Sequence, residues 1–267
     1  MNRYERSFES IRAQGRIAFI PFAVAGDPDL TLSEQVFRTY IDAGADILEI
    51  GYPFSDPMAD GPVNQRAAQR ALEAGMTPPR FFAMLGRLRR TTDIPFGLLL
   101  YANTVHHPGY DTFCARAADA GVDSILVADM PPEEASSFTR ALRTHGLRSV
   151  FIVSELTPPD RAKAICEHTD GFVYVVSRPG TTGVQKSLSG SVGGTLKRLR
   201  RLTTRPLCVG FGISTPDHVR RVKAAGADGA IVGSALVKII EELRGGSKRT
   251  MLRALGRAVE DFRKATQ

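Results

Sequence analysis

Short apolar runs alternate with longer amphipathic stretches along the whole chain. Eight runs, at 17–24, 46–51, 95–101, 124–128, 148–153, 172–177, 207–211 and 230–232, are rich in Ile, Val, Leu or Phe and apolar on both faces. Parallel strands covered on both sides have this pattern. Between them, stretches such as 31–43, 79–89, 110–120, 133–145 and 215–225 carry apolar residues at helical spacing. Several of these end in Ala-Gly, at Ala43-Gly44, Ala120-Gly121 and Ala225-Gly226. Glycine there is the expected left-handed stop of a helix. The three stops share one phrase, Ala-Gly-Ala-Asp at 43–46 and 225–228 and Ala-Gly-Val-Asp at 120–123, each just before a strand. A repeated helix–turn–strand unit predicts a closed (β/α)8 barrel of α/β class, with an open doubly wound sheet as the competing topology.

The chain of 267 residues suits one such domain spanning 1–267, and no Gly/Ser-rich linker divides it. The first residues run straight into a mixed-charge helical pattern, which predicts an extra N-terminal helix and no signal peptide. No run approaches the roughly 18 apolar residues of a membrane span. Cys114, Cys166 and Cys208 lie far apart, without a C-x-x-C unit, so a reducing cytoplasm is expected rather than a disulfide framework. Adjacent His106 and His107 would point opposite ways on a strand, and no metal site is expected. The formal charge of +7 admits nucleic acid or an anionic substrate. The densest basic run, Lys197-Arg198-Leu199-Arg200-Arg201, interleaves with Leu196, Leu199 and Leu202 like the solvated side of a barrel helix, so no nucleic-acid partner is expected.

In such barrels the working face is at the C-terminal ends of the strands. Glu49 sits near the end of the second run, Asp46-Ile47-Leu48-Glu49-Ile50-Gly51, among apolar neighbours. Desolvation there raises a carboxyl pKa and suits it to proton transfer near neutrality. The loop that follows, Tyr52-Pro53-Phe54-Ser55-Asp56-Pro57-Met58-Ala59-Asp60-Gly61-Pro62, is stiffened by three prolines and carries two aspartates. The sixth loop, 177–187, is polar and glycine-containing, as a lid would be. The seventh and eighth runs end in Val209-Gly210-Phe211-Gly212-Ile213-Ser214 and Ile231-Val232-Gly233-Ser234-Ala235. Bare backbone at Gly212 and Gly233, with Ser234 opening a short helix at 235–243, predicts a phosphate site.

With these loops in place, the sequence resembles the tryptophan synthase α-subunit family of TIM barrels. The strongest match is Leu48-Glu49-Ile50-Gly51-Tyr52-Pro53-Phe54-Ser55-Asp56-Pro57-Met58-Ala59-Asp60-Gly61-Pro62. Pro21-Phe22, Gly26-Asp27-Pro28, Tyr101-Ala102-Asn103, Val127-Ala128-Asp129, Gly180-Thr181-Thr182-Gly183, Gly210-Phe211-Gly212-Ile213-Ser214 and Gly233-Ser234-Ala235 follow in family order. The resemblance implies a lyase of tryptophan biosynthesis that cleaves indole-3-glycerol phosphate to indole and glyceraldehyde 3-phosphate. By the same resemblance Glu49 shuttles protons, Asp60 bonds the indole N–H, and Tyr174 lines the site beside Glu49. Thr182 would meet Asp60 on lid closure. Gly183, Gly212, Gly233 and Ser234 match phosphate contacts. Phe22, Leu99, Phe211 and Val232 would form the indole slot, although barrel core is an equal reading of Val232. No cofactor is implied for this chain; pyridoxal phosphate belongs to the β subunit, the implied partner in an α2β2 heterotetramer. Asp56 and Pro57 match positions that face that partner.

Some positions depart from the family pattern. Val24 stands where many relatives have Thr, Val153-Ser154-Glu155 replaces an Ala-Pro-Thr-like stretch, and Arg178-Pro179 stiffens the first hinge of the lid. A free-standing lyase and a non-catalytic activating subunit remain as alternatives. The presence of both Glu49 and Asp60 weighs against the second.

Overall fold

The computed structural model describes residues 1–176 and 192–267. Among the described residues nine strands form one parallel sheet: β1 (Ala18–Val24), β2 (Leu48–Gly51), β3 (Phe96–Leu100), β4 (Ser124–Val127), β5 (Arg148–Ser149), β6 (Phe151–Ser154), β7 (Val173–Val176), β8 (Leu207–Gly210) and β9 (Gly229–Val232). Their order is β5-β4-β3-β2-β1-β9-β8-β7-β6. The expected fifth strand is therefore two short ladders. β5 pairs with β4 and β6 with β7, and the chain bends between them at Val150, whose side chain is buried in the barrel. The two ends of the sheet thus meet within one run of sequence, which gives the closed barrel rather than the open sheet.

The helices are α1 (Arg3–Ala13), α2 (Leu30–Asp42), α3 (Pro62–Glu73), α4 (Pro78–Arg89), α5 (Ala102–His106), α6 (Tyr110–Asp119), α7 (Ser136–Thr144), α8 (Pro159–His168), α9 (Val192–Arg200), α10 (Pro216–Ala224), α11 (Ser234–Leu243) and α12 (Lys248–Lys264). Helix α7 begins later than the pattern at 133–145 suggests, because Pro131 and Pro132 first take up a turn closed by Glu134 N–H to Pro131 O and Ala135 N–H to Pro132 O. No helix among the described residues is long and apolar enough to cross a membrane.

Alternate strand residues serve two cores, which is why the runs are apolar on both faces. Outward residues such as Phe19, Leu48, Ile50, Leu98 and Val209 pack under the helices. Inward residues Ile20, Ile47, Leu126, Val150, Tyr174 and Ile231 fill the barrel. The predicted N-terminal helix, α1, plugs its lower end with Tyr4, Phe8 and Ile11, and the Tyr4 hydroxyl lies 2.8 Å from Ser124 Oγ. Burial of three such side chains contributes about 1.5–3 kcal/mol each.

The repeated Ala-Gly-Ala/Val-Asp phrase gains a physical meaning. Gly44, Gly121 and Gly226 all have positive φ, at 96°, 84° and 93°. Each following aspartate accepts a hydrogen bond from a backbone N–H on the neighbouring strand. Asp46 accepts from Phe19, Asp123 from Phe96 and Asp228 from Leu207, each at 2.8 Å. An arginine completes each corner: Arg16 on Asp46, Arg89 on Asp123 and Arg200 on Asp228. The phrase ends a helix and pins two adjacent strands at the bottom of the barrel, leaving the upper rim for chemistry.

Candidate active site

A cleft of about 580 Å³, mouth included, opens at the C-terminal ends of the strands. Its floor is one inward-facing layer of side chains. Glu49 on β2 lies across from Phe22 on β1 and Gly97 on β3, and Tyr174 on β7 lies across from Ile152 and Cys208. Leu99, Ala128, Phe211, Ile213 and Ile231 add apolar wall, while Asp60, Asn64, Gly212, Gly233 and Ser234 form the polar rim. Close packing of the walls requires glycine. A Cβ at Gly51 would lie 2.8 Å from the Phe22 ring, and one at Gly210 would collide with the Tyr174 hydroxyl. The Tyr174 and Phe211 rings meet edge-on, with centroids 5.8 Å apart.

Glu49 is only 5% exposed. Burial, and secondarily the charge of Asp60, pushes its pKa from an ordinary 4.5 up to about 8. A carboxyl group so tuned is protonated at neutral pH and ready to act as an acid. Asp60, 9% exposed, is held quite differently. Tyr101 donates its hydroxyl to Asp60 Oδ2 at 2.8 Å, and Asn64 donates from Nδ2 to Oδ1 at 3.1 Å. The Tyr101 hydroxyl in turn accepts from the Ala59 N–H at 3.1 Å. Burial, together with the carboxylate of Asp60, holds the Tyr101 phenol well above its ordinary value, so it remains a donor.

The structure brings together Glu49, Asp60, Tyr174, Phe22, Leu99, Phe211, Gly212, Gly233 and Ser234 around this cleft. Ser234 opens α11, with Gly233 as its N-cap, so the expected short helix starts where an anion could meet its free N–H groups. Val232 does not join them. On β9 the parity of the strand turns Ile231 inward and Val232 outward, into the core beneath the helices. Ile231 is the residue of this strand that lines the cleft, and Val232 belongs to the core. Val24 likewise packs with Ala67, Ala71 and Val237 rather than lining the cleft, so the Thr-to-Val departure removes no group from its lining. Thr182 and Gly183 lie outside the described residues, as does the lid stretch with Arg178-Pro179.

Tyr101, Asn64, Ala128, Ile152 and Ile213 line the cleft without having been assigned a role from sequence. Tyr101 was visible only as part of a matching motif. Its bond to Asp60 spans 41 positions and has no local signal. Asp56 and Pro57 stand on the outer side of the loop, where Asp56 accepts a 2.6 Å hydrogen bond from Ser55 and neighbouring Met58 is 83% exposed. The basic run folds as expected for a barrel helix. Leu196 and Leu199 are buried, and Arg200 pairs with Asp228.

Comparison with known proteins agrees with this geometry. A family model described as tryptophan synthase alpha chain matches residues 8–267. The tryptophan synthase alpha chain of Methanothermobacter thermautotrophicus is 48% identical over 232 residues, covering 87% of this chain and 86% of its own. That of Methanoregula boonei is 43% identical and covers 100% of this chain and 99% of its own. Among solved structures, tryptophan synthase subunit alpha from Legionella pneumophila superposes with a TM-score of 0.89 at 35% identity, over 100% of this chain and 98% of the other. A structure of the tryptophan synthase α2β2 complex from Pyrococcus furiosus gives a TM-score of 0.85 at 35% identity, over 93% of this chain and 99% of the other. With the barrel, the buried carboxyl pair and full-length similarity in agreement, the chain belongs to the tryptophan synthase alpha chain family.

Proposed function

We propose that this chain carries out its family's reaction, the retro-aldol cleavage of indole-3-glycerol phosphate, with Glu49 and Asp60 as the acid–base pair. The observation that carries the assignment is a buried, largely protonated carboxyl group facing an apolar slot whose rim holds a second, hydrogen-bonded carboxylate. Glu49 gives its proton to C3 of the indole ring, and the ring nitrogen becomes positively charged. Asp60 accepts the N–H bond of that cation, an interaction strengthened by the low dielectric of the cleft. The anionic Glu49 then takes the proton of the side-chain hydroxyl. The C–C bond breaks, its electrons return to the ring, and an aldehyde forms. One proton enters and one leaves, so indole and glyceraldehyde 3-phosphate are released and Glu49 is protonated again.

Tyr174 closes one side of the slot, and Phe22, Leu99, Phe211 and Ile231 hold the flat ring by apolar contact. The amides at Gly212 and Gly233, with Ser234 at the start of α11, bind the phosphate. The chain works as one domain in the cytoplasm and hands indole to a β subunit that carries the pyridoxal phosphate. Asp56, Pro57 and exposed Met58 provide the contact with that subunit. An indole-release assay on the purified chain, with and without the β subunit, tests the reading. Release is expected in both, faster with the partner; no release in either would overturn it.

A further inference from the structure

The turn after β8 is unusual in its backbone. Phe211 has a φ of 63°, the one non-glycine residue with positive φ among the described residues, and Gly212 follows at 85°. An aromatic residue in this region is strained, and such a conformation persists only where its surroundings hold it. A buried side chain of α10 bears on this turn. Thr215 caps that helix, its side chain accepting from the His218 N–H at 3.3 Å. His218 therefore occupies the third helical position, where a capping box would place Glu or Gln to reach back to the chain before the helix. Its imidazole does reach back. It is 4% exposed, and Nδ1 lies 3.1 Å from the Gly212 carbonyl oxygen and 3.3 Å from the Ser214 backbone nitrogen. The Ser214 hydroxyl is 3.5 Å away.

We propose that His218 is a positioning residue for the phosphate-binding turn, clamping the Gly212–Ser214 backbone through its Nδ1. In the tautomer with its hydrogen on Nδ1 the ring donates to the Gly212 carbonyl; in the other, Nδ1 accepts from the Ser214 N–H. In the first state the trans peptide plane between Gly212 and Ile213 cannot rotate, and the Ile213 N–H points away from its carbonyl and from α10. Either bond limits the motion of a turn whose amides must already be aimed when the anion arrives, because donors fixed before binding lose little freedom on binding. The inference rests on the proposal that this turn contacts the substrate phosphate.

The test uses the full chain saturated with its β subunit, and inorganic phosphate as the probe. His218→Leu keeps an apolar side chain without the nitrogen. It is expected to raise both the KM for indole-3-glycerol phosphate and the Kd for inorganic phosphate about tenfold, the scale of one missing hydrogen bond. The change in kcat should stay within about threefold, and His218→Asn, whose amide reaches close to the Nδ1 position, should recover most of the affinity. A His218→Leu variant that binds phosphate as the parent does overturns the clamp while leaving the phosphate site standing. So does equal loss in the Leu and Asn variants accompanied by equal falls in Tm. A parent chain in which phosphate does not compete with substrate overturns the phosphate reading itself, and the clamp with it. Nitrogen NMR of the unmodified chain needs no variant to fold. The His218 ring resonances should shift during a phosphate titration with the same apparent Kd, and unmoved resonances would overturn the proposal.

Discussion

The barrel wall around Glu49 and the loop that carries Asp60 hold a carboxyl group by opposite means. Glu49 stands on β2 among apolar neighbours, and its pKa is set by burial and by the charge of Asp60, with no hydrogen bond contributing among the described residues. Asp60 stands on an irregular loop and is wired to Tyr101 and Asn64. In the proposed reaction the contrast suits each group to its task. A carboxyl raised by burial stays protonated at neutral pH and can exchange that proton, whereas one held by hydrogen-bond donors is oriented to receive a cationic N–H. It also shows that a regular strand can supply the tunable group and a loop the rigidly placed one, provided the loop is cross-tied.

The largest break in this contrast comes from Glu49→Gln, which preserves shape and removes the proton. Indole release should fall by about 10²–10⁴-fold, the usual range for removal of a general acid–base group. In the parent, kcat/KM should hold steady up to pH about 8 and drop by about tenfold per unit above it, as the acid form of Glu49 is lost. The same group leaves a mark on stability. Between its ordinary value of 4.5 and about 8, the folded chain holds a proton on Glu49 that the unfolded chain has released. The unfolded state therefore binds fewer protons, and stability falls as pH rises through that window. Thermal unfolding at pH 5 and pH 9 should show a smaller loss for Glu49→Gln than for the parent. Equal losses would mean that Glu49 is not held protonated by the fold.

A smaller effect is expected on the other side. Tyr101→Phe leaves Asp60 in place but removes one of its donors and the acceptor of the Ala59 N–H. Loss of a hydrogen bond to a charged group on the scale of 1.5 kcal/mol corresponds to about tenfold in kcat/KM. The alkaline limb near pH 8, which belongs to Glu49, should be little moved. A shift of that limb as large as the fall in rate would show that the two regions are not separate devices.

These two regions were not equally legible before folding. Glu49 announced itself as a charge among apolar neighbours near the end of a run, and Asp60 by its place in a long proline-stiffened loop with a specific family motif. The barrel followed from the alternation of runs and helices and from the repeated Gly stops. What stayed hidden was long-range or depended on parity. Tyr101 meets Asp60 across 41 positions, and no local pattern encodes that meeting. The strand amides bound by the aspartates of the repeated phrase lie in other runs, so nothing local shows what those aspartates hold. The bend at Val150 depends on closing the sheet, which one apolar run cannot express. Val232 and Ile231 are chemically alike, and only the pairing of β1 with β9, Ile20 against Ile231 and Pro21 against Val232, decides which one faces the cleft.

That last pair gives the finest comparison, between the two faces of one strand. Ile231 and Val232 are both buried, at 2% and 0% exposure, so burial alone predicts similar costs for truncating either. Their surroundings predict a split. Val232→Ala opens a void in the close-packed layer beneath the helices, at a cost of about 2 kcal/mol, or roughly 5 °C in Tm at this length. KM should hold within about twofold, since the cleft lining is untouched. Ile231→Ala enlarges the slot instead and loosens the packing of the wall against the ring. KM should then rise by about tenfold, since three side-chain carbons leave the wall of an apolar pocket. Since the barrel interior also needs Ile231, its Tm will fall too, and the distinguishing measurement is KM rather than stability. If Val232→Ala raised KM and Ile231→Ala did not, β9 would be turned by one residue relative to β1. Gly233 would then face away from the cleft as well, because a one-residue shift reverses every side chain on a strand.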